Sequence, residues 1–318
     1  MKSKLLASSI SLSLSIVGGA AWGNVGHQTI GFIAQNVSHV PTPFVAQFWL
    51  TAYIKFLAPN ALQFVQTHLN ASFDGSLGPA ATWADQVKST PPFEWSKNLH
   101  FVDAEVAAIA NYTSRIVDPT LPPEQIQEAL LFIDHFIGDI GQPLHVEAVA
   151  AGGNDIDARC SGKSTNLHAA WDTGMLVKNV DAVHGGTSEQ YAADLIVEIT
   201  SGQFSSLTSE WLACVNTTEP FFNKREDMSS IERDIGNILA ARDSGIITPL
   251  ECPLIWARES NAFDCSTVFN FEPEEDPELC EGTYFTNAIP VIDLQLAKQG
   301  FRLAAWLNVL FDGAPNLP

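Results

Sequence analysis

Eight histidines are spread along this 318-residue chain, and several stand at spacings that could do chemistry. In HFIGDIGQPLH, His135 and Asp139 are four residues apart, so on a helix both side chains project from one face. His145 follows just past Pro143, and NLHAAWD repeats the four-residue spacing with His168 and Asp172. One such pair is ordinarily a surface contact worth little. Two pairs with a further imidazole beside one of them point to metal ligation. Imidazole with carboxylate suits zinc that keeps an open position for water, whereas an all-cysteine set would close a structural site. Asp85 in TWADQ, His100 in NLHFVD and His27 in WGNVGH are unremarkable alone: a helix cap, a core histidine and a lone imidazole near the start.

The elements that must carry these residues read as helices. From Glu124 to Leu144 the apolar residues Ile126, Leu130, Ile133, Ile137 and Ile140 recur at helical spacing, and Pro143 marks the end. Ser188 to Thr200 and Val291 to Leu310 show the same period, the latter as a long core helix. Gly/Asn/Asp/Ser clusters at 151–166 and the Pro/Glu-rich stretch at 272–282 read as loops. There is no internal repeat and no linker, so the expectation is all-α, in a single compact helical domain.

A hydrophobic fraction of 46% against 16% charged residues describes a globular chain. The net charge of −20 excludes a protein that grips duplex DNA by its phosphates, because counterion release rewards a basic surface. The first 21 residues read as an export signal: Lys2 and Lys4, an apolar serine-rich run to Val17, and small residues at Gly19-Ala20-Ala21. The run is too short to span a bilayer, and cleavage after Ala21 would make Trp22 the mature N-terminus. Sequons at Asn36, Asn70, Asn111 and Asn216 agree with secretion, as does disulfide pairing among five cysteines. Five is odd, so at least one thiol is left over.

The order WGNVGH, TWAD, NLHFVDAE, ANYTSR, HFIGDIGQPLH, GGND, NLHAAWD resembles the zinc-dependent single-strand nucleases and 3′-nucleotidases of fungi and plants, the S-one/P-one nucleases. These are distantly akin to bacterial zinc phospholipase C. The resemblance runs from Trp22 to about Asp312. It implies a mostly helical domain with a trinuclear zinc cleft over 22–318. The implied activity is hydrolysis of single-stranded DNA and RNA to 5′-nucleotides and removal of phosphate from 3′-nucleotides. Two alternatives stand beside it: a zinc phospholipase C, and a secreted zinc-binding relative without activity.

By the same resemblance Asp85, His100, His135 and Asp139 would hold one zinc, with Asp139 shared with a second. The freed amine and carbonyl of Trp22, with His27, would complete the second; His145, His168 and Asp172 would hold the third. Two cations sharing one water make it acidic enough to ionise near neutrality, and the hydroxide would attack phosphorus in line. The third zinc would stabilise the departing 3′-oxygen. Asp85 and Asp139 thus count as catalytic, with Lys88 as a cation for the phosphoryl oxygens. Phe101 stacking on a base, Asp103 bonding its edge and Asn154 facing the substrate would form the base site. A secreted monomer with no stable protein partner and no membrane span is implied.

Two departures from the family pattern are visible. The segment 37–56 is extra; it opens with Val37-Ser38, which is how the common intron start GTAAGT translates, and reads either as a spurious insertion or as a genuine lineage-specific aromatic loop. Conversely, the Cys-rich loop that relatives carry between the positions of Glu105 and Val106 is absent, which would leave Cys265 without its partner.

Overall fold

The computed structural model describes residues 22–35, 55–100, 102–212, 251–271 and 277–317. The expected export signal, most of the 37–56 segment, Phe101, and the sequons at Asn36 and Asn216 lie outside the described residues.

The fold is all-α apart from one small hairpin. The first helix, α1, runs Asn24–Gln35, followed by α2 (Pro59–His68) and two short pieces, α3 (Leu77–Ala80) and α4 (Trp83–Val87). A 3₁₀ stretch, Glu94–His100, leads into α5 (Val102–Ile116), which packs along α6 (Pro123–Asp139). Beyond a 3₁₀ turn at Pro143–Val146 come α7 (Ala150–Gly153), strands β1 (Asp157–Cys160) and β2 (Lys163–Asn166), and α8 (Leu167–Ala169). A π-helical turn at Ala170–Gly174 joins α8 to α9 (Met175–Val183); α10 (Ser188–Thr200) and α11 (Thr208–Trp211) follow. The last two helices are α12 (Glu251–Phe263) and α13 (Gly282–Asp312).

The long α13 is the spine. Leu296, Ala297, Phe301, Leu303, Ala304 and Leu307 are buried along it, and α1, α2, α6 and α10 pack against it. It stops at Gly313, whose φ of 79° is the left-handed conformation that commonly ends a helix. The α10 boundaries match the sequence expectation, because Thr187 caps it by accepting from the Gln190 amide, 3.1 Å away. The α6 expectation ran too long. The helix ends at Asp139, and the backbone turns through Gly141 and Gln142 into the separate 3₁₀ turn that carries His145. The stretch 151–166 is not all loop, since it holds the hairpin, with Cys160 opposite Lys163 and a tight turn at Ser161-Gly162, both at positive φ.

Phe56, the last residue of the extra segment, is fully buried edge-on to Phe301, and its carbonyl accepts from Asn308 Nδ2 at 2.7 Å. The Glu105–Val106 junction lies inside α5, one turn from its start. Cys160 and Cys280 form a disulfide that ties the hairpin to the approach of α13. Cys252 is disulfide-bonded to a partner outside the described residues, and Cys265 is free and exposed.

Candidate metal centre

Asp139 sits at the last turn of α6, fully buried, where elements distant in sequence converge. Its Oδ1 lies 3.2 Å from His27 Nε2 on α1. Its Oδ2 lies 3.2 Å from His135 Nε2 and 3.3 Å from His100 Nδ1. Asp85 on α4 faces the same two imidazoles at 3.6 Å through Oδ1. On the other side, His168 Nε2 is 3.0 Å from Asp172 Oδ2, and His145 Nε2 is 3.8 Å from Asp172 Oδ1. The side chains named from the sequence as ligands therefore come together. They form three groups, the first two sharing His135: His27, His135 and Asp139; Asp85, His100 and His135; and His145, His168 and Asp172.

Local folding explains the placement. Gly138 lets His27 approach α6, because a Cβ there would stand 3.1 Å from His27 Nδ1. The buried Trp22 indole donates to the Gly138 carbonyl at 3.1 Å, and the Gly23 amide donates to the Asp172 carbonyl at 2.7 Å. Asn166, at the end of β2, caps α8 by accepting from the Ala169 amide, and so sets the helical turn that presents His168. The His168–Asp172 spacing spans α8 and the π turn, not one regular helix.

The imidazoles are held by their far nitrogens. His135 Nδ1 bonds the Ala81 carbonyl and His168 Nδ1 the Gly152 carbonyl, each at 2.7 Å. Nδ1 therefore carries a hydrogen in both, so that in the neutral form of each ring Nε2 is the lone pair offered to an ion. Gly152, at φ 64°, has no room for a side chain, since a Cβ would stand 2.5 Å from the Leu144 carbonyl oxygen.

Burial without satisfaction is the diagnostic feature. Both nitrogens of His27 and His145, both oxygens of Asp139, His100 Nε2 and Asp172 Oδ2 are buried without a well-directed hydrogen bond. Such groups are expensive to leave unpaired. Two donors about 2.0–2.1 Å from one tetrahedral zinc stand about 3.3 Å apart, which is the spacing seen between the ligand atoms around Asp139. The donor set therefore fits a metal ion.

Burial and neighbouring charge pull the proton equilibria of these groups apart. Burial lowers His27, and it lowers His100 to about 4, with His135 adding to the effect. Burial also opposes charge on His135, but Asp139 and Asp85 outweigh it and lift that imidazole to about 9. Asp139 is held well below the usual carboxylate range, because His135 and His145 overcome its burial.

Lys88 Nζ sits 2.6 Å from Asp85 Oδ1, at the edge of the cluster. Asn154 caps α7, and its amide donates to the Ala151 carbonyl at 2.9 Å, the turn role open to it from sequence. Asp103 belongs to α5, and its side chain lies outside the description.

Two residues escaped the sequence reading. Glu105 on α5 is fully buried, with Oε1 3.6 Å from His145 Nδ1, and with Asp139 and His145 it forms a further group able to hold an ion. It lies inside the NLHFVDAE motif, but a glutamate in a helix ordinarily reads as solvated. Gln142 was missed as well; its Nε2 donates to Asp172 Oδ1 at 2.6 Å.

A family model described as S1/P1 Nuclease matches residues 22–312. The chain belongs to the S1/P1 nuclease family. This nuclease-family chain is 32% identical to Nuclease P1 of Penicillium citrinum over 312 residues, covering 90% of this chain and 97% of the relative. It is 30% identical to Nuclease S1 of Aspergillus oryzae, covering 91% of each. Endonuclease 2 of Arabidopsis thaliana is 29% identical, over 91% of this chain and 90% of the relative. The family comprises phosphodiester hydrolases, and the His/Asp clusters fit metal-dependent hydrolysis.

Proposed function

We propose that this chain is an exported, monomeric, zinc-dependent nuclease that hydrolyses single-stranded DNA and RNA to 5′-nucleotides and removes phosphate from 3′-nucleotides. The observation that carries the reading is the convergence on Asp139 of buried, unsatisfied imidazoles and carboxylates from α1, α4, α6 and the residues flanking them.

Imidazole and carboxylate without thiolate favour zinc with an open position, and the overlapping groups support about three ions. Asp85, His100, His135 and Asp139 would hold the first, Asp139 with His27 and the Trp22 terminus the second, and His145, His168 and Asp172 the third. When bound, zinc supplies an ionised water near neutral pH and a Lewis acid beside the departing 3′-oxygen. Asp139 is suited to sharing because its two oxygens face different imidazoles. The buried indole of Trp22 fixes the start of the mature chain beside Asp139 through the Gly138 carbonyl. Lys88, paired with Asp85 at the edge of the cluster, would neutralise phosphoryl oxygens.

The net charge of −20 leaves little basic surface for holding a backbone, so the ions must grip the phosphate. Phe101 stacking, with Asp103 and Asn154 at the base edge, would supply the remainder; a paired, stacked base cannot enter such a pocket. The test is a substrate panel. Rapid cleavage of single-stranded DNA and RNA to 5′-phosphorylated products, with slow cleavage of duplex, is expected. Hydrolysis of phosphatidylcholine in their place would assign a lipid phosphodiesterase, and zinc binding without any turnover would assign an inactive relative.

A further inference from the structure

We propose that Glu105 is a positioning residue for His145: its carboxylate takes the Nδ1 hydrogen and fixes Nε2 as the atom offered to an ion held with His168 and Asp172. This rests on the zinc reading above. His145 Nδ1 faces Glu105 Oε1 at 3.6 Å, nearer than Asp139 Oδ1 at 3.9 Å, while Nε2 points the other way, 3.8 Å from Asp172 Oδ1. At 3.6 Å the two are not hydrogen-bonded, and a closure of about 0.5 Å would make them so.

Comparison with the other imidazoles makes the role specific. His135 and His168 are oriented by neutral backbone carbonyls, those of Ala81 and Gly152. His145 has no such carbonyl: both its ring nitrogens are buried without a hydrogen bond, and the groups beside Nδ1 are carboxylates, Glu105 nearest and Asp139 next. A charged acceptor behind a ligand imidazole fixes its tautomer and raises its basicity, which strengthens the bond to the metal. The helix α5 thereby contributes to the cluster without a sequence spacing that announces it. Gln142 does the parallel work for Asp172 by donating to Oδ1, the oxygen nearer His145.

The burial of Glu105 needs an explanation of this kind. Both its carboxylate oxygens are buried and unpaired, and an isolated buried carboxylate costs several kcal/mol. Its α5 neighbours Ala108, Ile109 and Tyr112 form core, so packing alone would favour an apolar residue at 105.

The experiment is zinc retention by the processed protein and its E105Q and E105A variants. Each is titrated with a chelator at fixed pH, and bound zinc is counted by elemental analysis. One ion per chain should leave E105Q at roughly 10- to 100-fold higher free zinc than the unsubstituted protein, the others leaving together with the wild-type ions. E105A should lose the same ion more readily still. If E105A fails to fold, the isosteric E105Q carries the measurement. Identical release curves for E105Q and wild type would overturn the proposal while leaving the zinc reading intact. An E105Q protein that cannot hold that ion even at saturating zinc would make Glu105 a direct ligand, which also overturns it. A wild-type protein without zinc would instead sink the zinc reading itself.

Discussion

His27 stacks on His135 with ring centroids 4.0 Å apart and planes inclined by 17°. The two rings come from α1 and α6, and each presents Nε2 to a different oxygen of Asp139. A carboxylate that faces the Nε2 edges of two stacked imidazoles, one oxygen to each, can serve two ions at once.

Asp139→Asn is therefore expected to be the most damaging single substitution at the site. It keeps the size of the side chain and removes the charge shared by two groups of ligands. A fall in kcat of about 100-fold or more, together with lost zinc, is expected from steady-state kinetics and metal analysis. Near-normal turnover would show that Asp139 is not shared.

Processing should matter as much as the side chains. The Trp22 indole is locked to Gly138, so an extra residue ahead of Trp22 would remove the free amine without moving the ring. A form carrying a short N-terminal extension should bind fewer zinc ions and lose specific activity against the cleaved form. Equal zinc and equal activity would refute a terminal ligand.

Away from the metal, Asp264 gives a stability test with a definite sign. Burial first and Glu147 second push its carboxyl up to about 8, against the favourable amide of Asn261. The ordinary value is 3.8, so the folded state increasingly resists ionisation as pH rises from there towards 8. Stability from this group is complete in acid and lost through that window. Asp264→Asn, which cannot ionise, should gain on the wild type as pH is raised from about 5 to 8 in denaturant unfolding. A stability difference that does not change with pH would contradict it.

Much of this was legible in the sequence, for physical reasons that particular residues show. Helical spacing placed His135 and Asp139 on one face because α6 is regular there, and the apolar period from Ser188 to Thr200 coincides with α10. The end of α6 was misplaced because the apolar pattern continues through Ile140 and Leu144 after the helix stops at Asp139. The hairpin was read as loop since its strands are four residues each, polar and without alternation. Glu105 was invisible because its partner His145 lies in another element, and only tertiary packing brings them together.

The extra and missing segments bear on the same packing. If 37–56 is a retained intron, excision would join α1 to Leu57 and remove Phe56 from its contact with Phe301. Transcript sequencing is expected to show mature message without those codons and with additional codons between Glu105 and Val106. Reads continuous through Val37–Phe56, with Glu105 joined directly to Val106, would show that the chain is as written.

Zinc content tests the central claim most directly. The cleaved protein, purified without chelator and analysed for metals, should carry about three zinc ions per chain, since five imidazoles, three aspartates and a terminal amine supply the donors for such a cluster. A stoichiometry below about two would contradict the trinuclear centre.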